Sequence, residues 1–250
     1  MREKILSLLI VATAASLLAG CHRELYYAPN PFEGIKTVAV APFKWYQGIK
    51  YSEEELRNLM LEPGEIMANE LTKFRGFTVI RPADVRNAIK GKNLDIYSNP
   101  EAALEAADIL KADAIIVGVI TDCEPYDKPR VGVAVEMFTT RQYEAQNIDW
   151  NRMMQMGRRF TFSPDVSKRP IHLVDRLFDA NIKVIYDRAL KYASYQVTED
   201  RALDKEAFVK IVRNYFSYVS FEILSEIIHV ENLRQGAATD EDNGVSSLEE

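Results

Sequence analysis

Apolar residues come first as one unbroken block, then as short runs, then as two long stripes at helical spacing. The block is Ile5 to Leu18, interrupted only by Ser7, Thr13 and Ser16 and preceded by Arg2 and Lys4. From Thr37 the pattern changes. Thr37-Val-Ala-Val-Ala-Pro-Phe43 is a short apolar run closed by proline, as expected of a buried strand. Lys44 to Ser52 reads as a loop and Glu53 to Met60 as a helical turn. Pro63 then opens a helix at a position that needs no N–H, with Ile66, Met67, Leu71 and Phe74 on one face and Gly76 as the stop. Phe77 to Ile80 is a second strand. Pro82 to Lys90 is a helix closed by Gly91, and Asn99-Pro100 opens another with Ala103, Leu104, Ala107 and Leu110 on one face. Ala114 to Ile120 is the most hydrophobic strand of the chain. This alternation predicts a parallel sheet flanked by helices.

Val131, Val133 and Val135 alternate with Gly132, Ala134 and Glu136, which predicts a fourth, half-buried strand. The link before it is too short for a parallel crossover, so it should pair antiparallel. In residues 141–172 a helical turn from Asp149 through Met154 and a short strand at Arg158–Phe162 are the readable pieces. Two long helices are expected to close the body. One spans about Leu173 to Tyr195, on Val174, Leu177, Phe178, Ile182, Ile185, Ala189 and Tyr192. The other spans about Asp204 to Leu233, on Phe208, Ile211, Val212, Tyr215, Val219, Ile223, Ile227 and Val230. The expected fold is α/β. It is a three-layer, mixed sheet with three parallel strands and an antiparallel fourth, followed by two long C-terminal helices.

The first block is targeting rather than fold. As a helix its 14 residues would span roughly 21 Å, short of the roughly 30 Å hydrocarbon core. It ends in Leu18-Ala19-Gly20-Cys21, which resembles the lipobox of bacterial lipoproteins. The resemblance implies cleavage after residue 20 and a lipid on Cys21, with palmitate-like chains on thiol and amine holding the protein at a membrane. His22 takes the place where aspartate favours inner-membrane retention in that family, which points to the periplasmic face of the outer membrane. The organisation is then signal peptide 1–20, lipidated tether 21–34, a single α/β domain 35–235, and a disordered acidic tail 236–250.

Composition narrows the chemistry. The chain is 250 residues long, 47% hydrophobic and 27% charged, with net charge −6. The signal carries one positive charge, and the tail carries five acids and no base, so the body is about −2. Nothing in that balance favours nucleic acid, whose binding needs a basic patch. Lipidation consumes Cys21 and leaves Cys123 without an intrachain partner, either a small buried hydrophobe or a reactive thiol. His22, His172 and His229 are scattered, and neither a phosphate loop nor a nucleophile elbow occurs. No cofactor and no metal site is expected, and the chain is read as a non-enzyme.

Several residues remain candidates. Trp45 and Tyr46 follow the first strand, at the end where open α/β sheets bind ligands, and either serve a partner or pack under the loop. Met153, Met154 and Met156 form either an adaptable binding surface or core filler. Arg152, Arg158, Arg159, Lys168 and Arg169 face anionic lipid or glycan, or solvent. Asp122, Glu124 and Asp127 are a solvated turn or an acid–base or cation site.

Residues 35–135 resemble a group of envelope proteins: the curli secretion lipoprotein, the amino-terminal domain of the Tol translocation protein, and lipoprotein activators of penicillin-binding proteins. Thr37–Phe43 is similar to the group's "VAVLPF" strand, Gly64-Glu-Ile-Met-Ala-Asn-Glu-Leu71 to its first helix, and Ala112-Asp-Ala-Ile-Ile-Val-Gly118 to its "gaD-x-vv-x-G" strand. The group's Asp-x-x-Thr-Gly turn is replaced by Thr139-Thr-Arg-Gln142. The resemblance implies a membrane-anchored, non-enzymatic module with an envelope protein partner, serving assembly, export or wall synthesis. Its competitors are a curli-type export pore, which requires two long membrane hairpins per subunit, and a hydrolase built on the Asp122–Asp127 carboxylates. The residues set no oligomeric state.

Overall fold

The computed structural model describes residues 25–46, 48–52, 54, 55, 58, 62–140, 170–196 and 204–245. Its elements are β1 (Thr37–Val40), β2 (Lys44–Trp45), α1 (Pro63–Leu71), β3 (Thr78–Ile80), α2 (Pro82–Ile89), α3 (Pro100–Ile109), β4 (Ala114–Glu124), β5 (Arg130–Thr139), β6 (His172–Asp179), α4 (Lys183–Gln196), α5 (Lys205–Lys210) and α6 (Val212–Val245). The strands form one mixed sheet in the order β3-β1-β4-β5-β6, with β2 also on β4. β1 pairs parallel with β3 and β4, and β4, β5 and β6 pair antiparallel in succession. The α/β mixed sheet has the expected parallel core and antiparallel fourth strand.

Helices lie on both faces. α1 leaves β1 and returns to β3 on one side of it. α2 and α3 connect β3 to β4 on the other side of β1, so right-handed crossovers place them on the opposite face. Two apolar clusters follow. One gathers β-strand residues such as Val38, Ile116 and Val133 with Met67, Tyr192, Tyr215 and Ile223 from α1, α4 and α6. The other joins Ala39, Ile115, Val117 and Phe138 to the alanines of α3. Those alanines, Ala102, Ala103, Ala106 and Ala107, let α3 lie close on the sheet. Prolines start α1, α2 and α3 as the sequence suggested, and the Asn99 side chain caps α3 by accepting from the Glu101 N–H at 2.9 Å.

The structure corrects several expectations. The helix expected from Leu173 is a strand, β6, for its first half, and α4 begins only at Lys183. Val174 and Phe178 are four apart, a spacing that fits one helix face and one strand face alike. Leu177 separates the readings: a helix would bury it, and it is half exposed on the strand. The last helix is broken at Ile211, whose extended backbone (ψ 109°) ends α5 and turns its side chain outward. Asp204 does cap α5, accepting from the Ala207 N–H at 2.7 Å. Glu222 is half buried opposite Arg188. β4 extends to Glu124, into the segment read as a turn. The 44–52 loop contains β2, which continues β1 past Pro42 onto β4.

Two boundary regions also differ from their reading. Residues 25–34, taken as part of a tether, pack on the body: Phe32 is buried, and Leu25, Tyr27 and Ala28 lie against the larger cluster. α6 runs on to Val245, into the segment that composition assigns to disorder. The helical turn and strand expected within 149–162 lie outside the described residues, and 53–60 lies mostly outside them.

Candidate functional site

The C-terminal ends of β1 and β4 meet where chain connections leave to opposite sides, with β3 reached on one side of β1 and β4 on the other. Such a switch point opens a crevice in α/β sheets. Here β2 lies in it. Two glycines make the placement possible. A Cβ on Gly118 would come within 2.3 Å of the Phe43 ring, so only glycine lets that ring lie flat across β4. A Cβ on Gly64 would stand 2.6 Å from the Ala41 carbonyl oxygen, so glycine brings the start of α1 against the end of β1. These are the glycines of the helix and strand motifs read from sequence.

Beyond Phe43 the chain presents Lys44, Trp45 and Tyr46. Trp45 is half buried against the core, and Tyr46 is 60% exposed. The Tyr46 N–H donates to the Ile120 carbonyl at 2.9 Å, so the rim is pinned to β4. Tyr97 walls the rim from the α2–α3 connection. Its hydroxyl donates to the Pro42 carbonyl at 2.6 Å, and the Lys44 ammonium lies 5.4 Å from its ring centre. The rim and the sheet face beside it enclose an open groove of about 1100 Å³, floored by Val119, Ala134 and Glu136. α2 and α3 cover β1, β4 and the Phe138 end of β5 on their face, and the groove floor lies beside them.

Glu136 is the unusual group of this floor. Its cross-strand neighbours are Val117 on β4 and Leu173 on β6. Burial among such side chains pushes its carboxyl up to about 7. The sequence placed Glu136 on the polar side of an alternating strand, and it missed the burial because the covering strand, β6, was read as helix. Tyr97 was missed too, since a tyrosine in a connection carries no sequence signal.

The three carboxylates proposed for hydrolysis are not assembled as an acid–base pair. Asp122 receives the Arg130 guanidinium at 2.8 Å, and Glu124 accepts from the Tyr51 hydroxyl at 2.7 Å. That bond is the chief reason the Tyr51 phenol is pushed up to about 12. Asp127 sits in the β4–β5 turn with φ 57°. Among the described residues, no group of three His, Cys, Asp or Glu side chains is placed to hold a metal ion. Cys123 is buried in the larger cluster, and burial pushes its thiol up to about 12, as suits a small hydrophobe. His172 is buried within 3.5 Å of Glu231, and exposed His229 stands apart on α6. Met153, Met154, Met156, the basic cluster of 152–169 and Cys21 lie outside the described residues. No helix among the described residues is long and apolar enough to cross a membrane.

One polar cluster had no sequence signal. Glu70, at the end of α1, is buried and accepts from the hydroxyls of Tyr27 and Tyr192, each at 2.8 Å, and from Lys73 at 2.7 Å. It joins the N-terminal segment, α1 and α4, residues far apart in sequence. Burial, and after it the neighbouring Glu70 carboxyl, drives both phenols upward.

No protein-family model matches the chain, and no curated protein matches it. Among solved structures, the C-terminal domain of LpoB from Salmonella enterica aligns at 13% identity and a TM-score of 0.33, covering 45% of this chain and 79% of that one. A hypothetical protein, CT253, from Chlamydia trachomatis aligns at 12% and 0.40, covering 77% and 95%. Lipoprotein GNA1162 from Neisseria meningitidis aligns at 11% and 0.37, covering 64% and 96%. Similarities this weak carry no function to this chain.

Proposed function

We propose that this chain is a lipid-anchored protein of the cell envelope. In this reading it catalyses no reaction and docks another envelope protein on the Lys44–Tyr46 rim and the groove beside it. The observation that carries the docking site is the rim itself. An aromatic pair is held rigidly at the sheet's switch point, with Tyr46 out in solvent and an open floor of Val119, Ala134 and Glu136 at its side. Rigid, partly exposed aromatics are the side chains that anchor protein interfaces. The lipobox ending in Cys21 supplies the location, and His22 favours the periplasmic face of the outer membrane. The hydrolase reading loses ground because Asp122 and Glu124 are engaged by Arg130 and Tyr51.

A photo-crosslinking residue in place of Tyr46, introduced in intact cells, tests the docking site. The expected result is a discrete adduct with one envelope protein, absent when the same residue replaces Asp108 on α3. No adduct, or the same adducts from both positions, would overturn it. Cys21→Ser tests the anchor separately. The variant should remain an unprocessed precursor, and one that matured and fractionated with membranes as before would refute the lipobox.

A further inference from the structure

The N-terminal segment is fastened to the body from Leu25 onward. The Tyr27 ring packs edge-on to Phe74 and Phe221, and its hydroxyl ends on Glu70. The Asn30 N–H donates to the Arg75 carbonyl at 2.8 Å, and its side chain donates to the carbonyls of Ile35 and Gly76. Gln235, near the far end of α6, donates to the Pro31 carbonyl. Phe32 is buried against His172 and Phe77. Aromatic contacts and hydrogen bonds to α1, the turn after it, β6 and α6 make this segment part of the domain from Leu25 onward.

Only four residue steps separate Leu25 from Cys21. Fully extended, they reach about 14 Å. A folded body of this size is roughly 40 Å across, taking its radius of gyration as about 16 Å. A leash so much shorter than the body cannot let it turn over. The end of the molecule that carries the fastened segment must therefore face the membrane holding Cys21.

The topology says which end that is. Asn30 and Phe32 sit by Gly76 and Phe77, just before β3, and by His172, where β6 begins. Asp113, at the start of β4, accepts from the Lys36 and Thr37 N–H groups at the start of β1. This is the N-terminal end of the parallel strands, opposite the end that carries Lys44–Tyr46. Tyr26 here is 76% exposed. Lys36, Lys73, Arg75, Lys111 and Lys191 are exposed around the same end, with the acids Glu33, Asp108 and Asp113 among them. An exposed tyrosine among bases is the composition that settles at lipid headgroups.

Resting on the lipid-anchor reading, we propose that the domain sits directly on the bilayer. The Tyr26–Arg75 end lies against the headgroups, and the Trp45–Tyr46 groove points away from them. The partner would then approach from the side away from the anchoring leaflet.

The test uses full-length lipidated protein in phosphatidylcholine–phosphatidylglycerol vesicles that carry headgroup-nitroxide lipid. A fluorophore is placed on Arg75→Cys or on Tyr46→Cys, with Cys123 buried and Cys21 acylated. Quenching should be several-fold stronger at position 75. A Gly-Ser insert of about 30 residues after Glu24, whose mean span is roughly 30 Å, should abolish that difference without altering the fold. Acylated protein showing equal quenching at both positions, or no effect of the insert, overturns the orientation and leaves the anchor reading intact. A mass lacking the acyl chains overturns the anchor and the orientation with it.

Discussion

Glu136→Gln separates ionisation from shape at the floor of the groove. The folded chain holds this carboxyl at about 7 against an ordinary value of 4.5, because Val117, Phe138 and Leu173 displace water around it. Between those values the folded state keeps a proton that the unfolded state has released. Any stability tied to Glu136 is therefore full below the unfolded value and falls as pH rises through the folded one. At about 1.4 kcal/mol per pH unit, the gap corresponds to about 3 kcal/mol lost by neutral pH and above. Glutamine has nearly the same volume and cannot ionise. The variant should match the native chain near pH 4 and exceed it by about 2–3 kcal/mol near pH 8, since it never buries the charge. Urea unfolding across that range, on both chains in parallel, cancels every other carboxyl. A difference between the two chains that did not change with pH would refute the reasoning and place Glu136 in water. The same physics reaches the proposed function. A partner that covers the groove dehydrates Glu136 further, so docking should tighten as pH falls and lose that dependence in the glutamine variant.

Glu70→Ala leaves the Tyr27 and Tyr192 hydroxyls without their acceptor and Lys73 without its partner, which should cost about 3–5 kcal/mol in chemical unfolding; a loss below about 1 kcal/mol would mean the cluster is solvated. Gly118→Ala drives a methyl into the Phe43 ring and should cost about 1–3 kcal/mol, with partial recovery when Phe43→Leu is added. An uncoupled pair of effects would show that the ring is free to move. Ending the chain before Asp204 removes α5 and α6, and with them the buried Tyr215, Phe216, Val219 and Ile223, so the remainder should aggregate. A soluble fragment that unfolds cooperatively would make these helices a separate docking element.

Features under short-range chemical control are legible in the sequence. Prolines at 63, 82 and 100, Gly91, and the Asn99 and Asp204 caps marked helix ends within a residue or so, whereas α1 stops at Leu71, well short of Gly76. The apolar runs at 37 and 114 marked central strands, and the short link after Glu124 required an antiparallel partner. The lipobox also stands in the sequence alone. Trp45 and Tyr46 were legible as candidates because the strand before them ends in proline, yet sequence left open which of the two faces solvent.

Tertiary structure decided what depends on residues far apart. Val174 and Phe178 satisfy both periods, and only pairing with Val135 and Val131 makes that segment a strand. Once β6 exists, Glu136 is enclosed on both sides, and a position that alternation marks as wet becomes one where a carboxyl holds its proton to about 7. Residues 25–34 lack any period, and so read as a leash. Their order comes from Glu70, Arg75, His172 and Gln235, which the fold brings to them from elsewhere in the chain. Local propensity has no term for a partner tens of residues away or more, and such partners set both the groove floor and the fastened N-terminus.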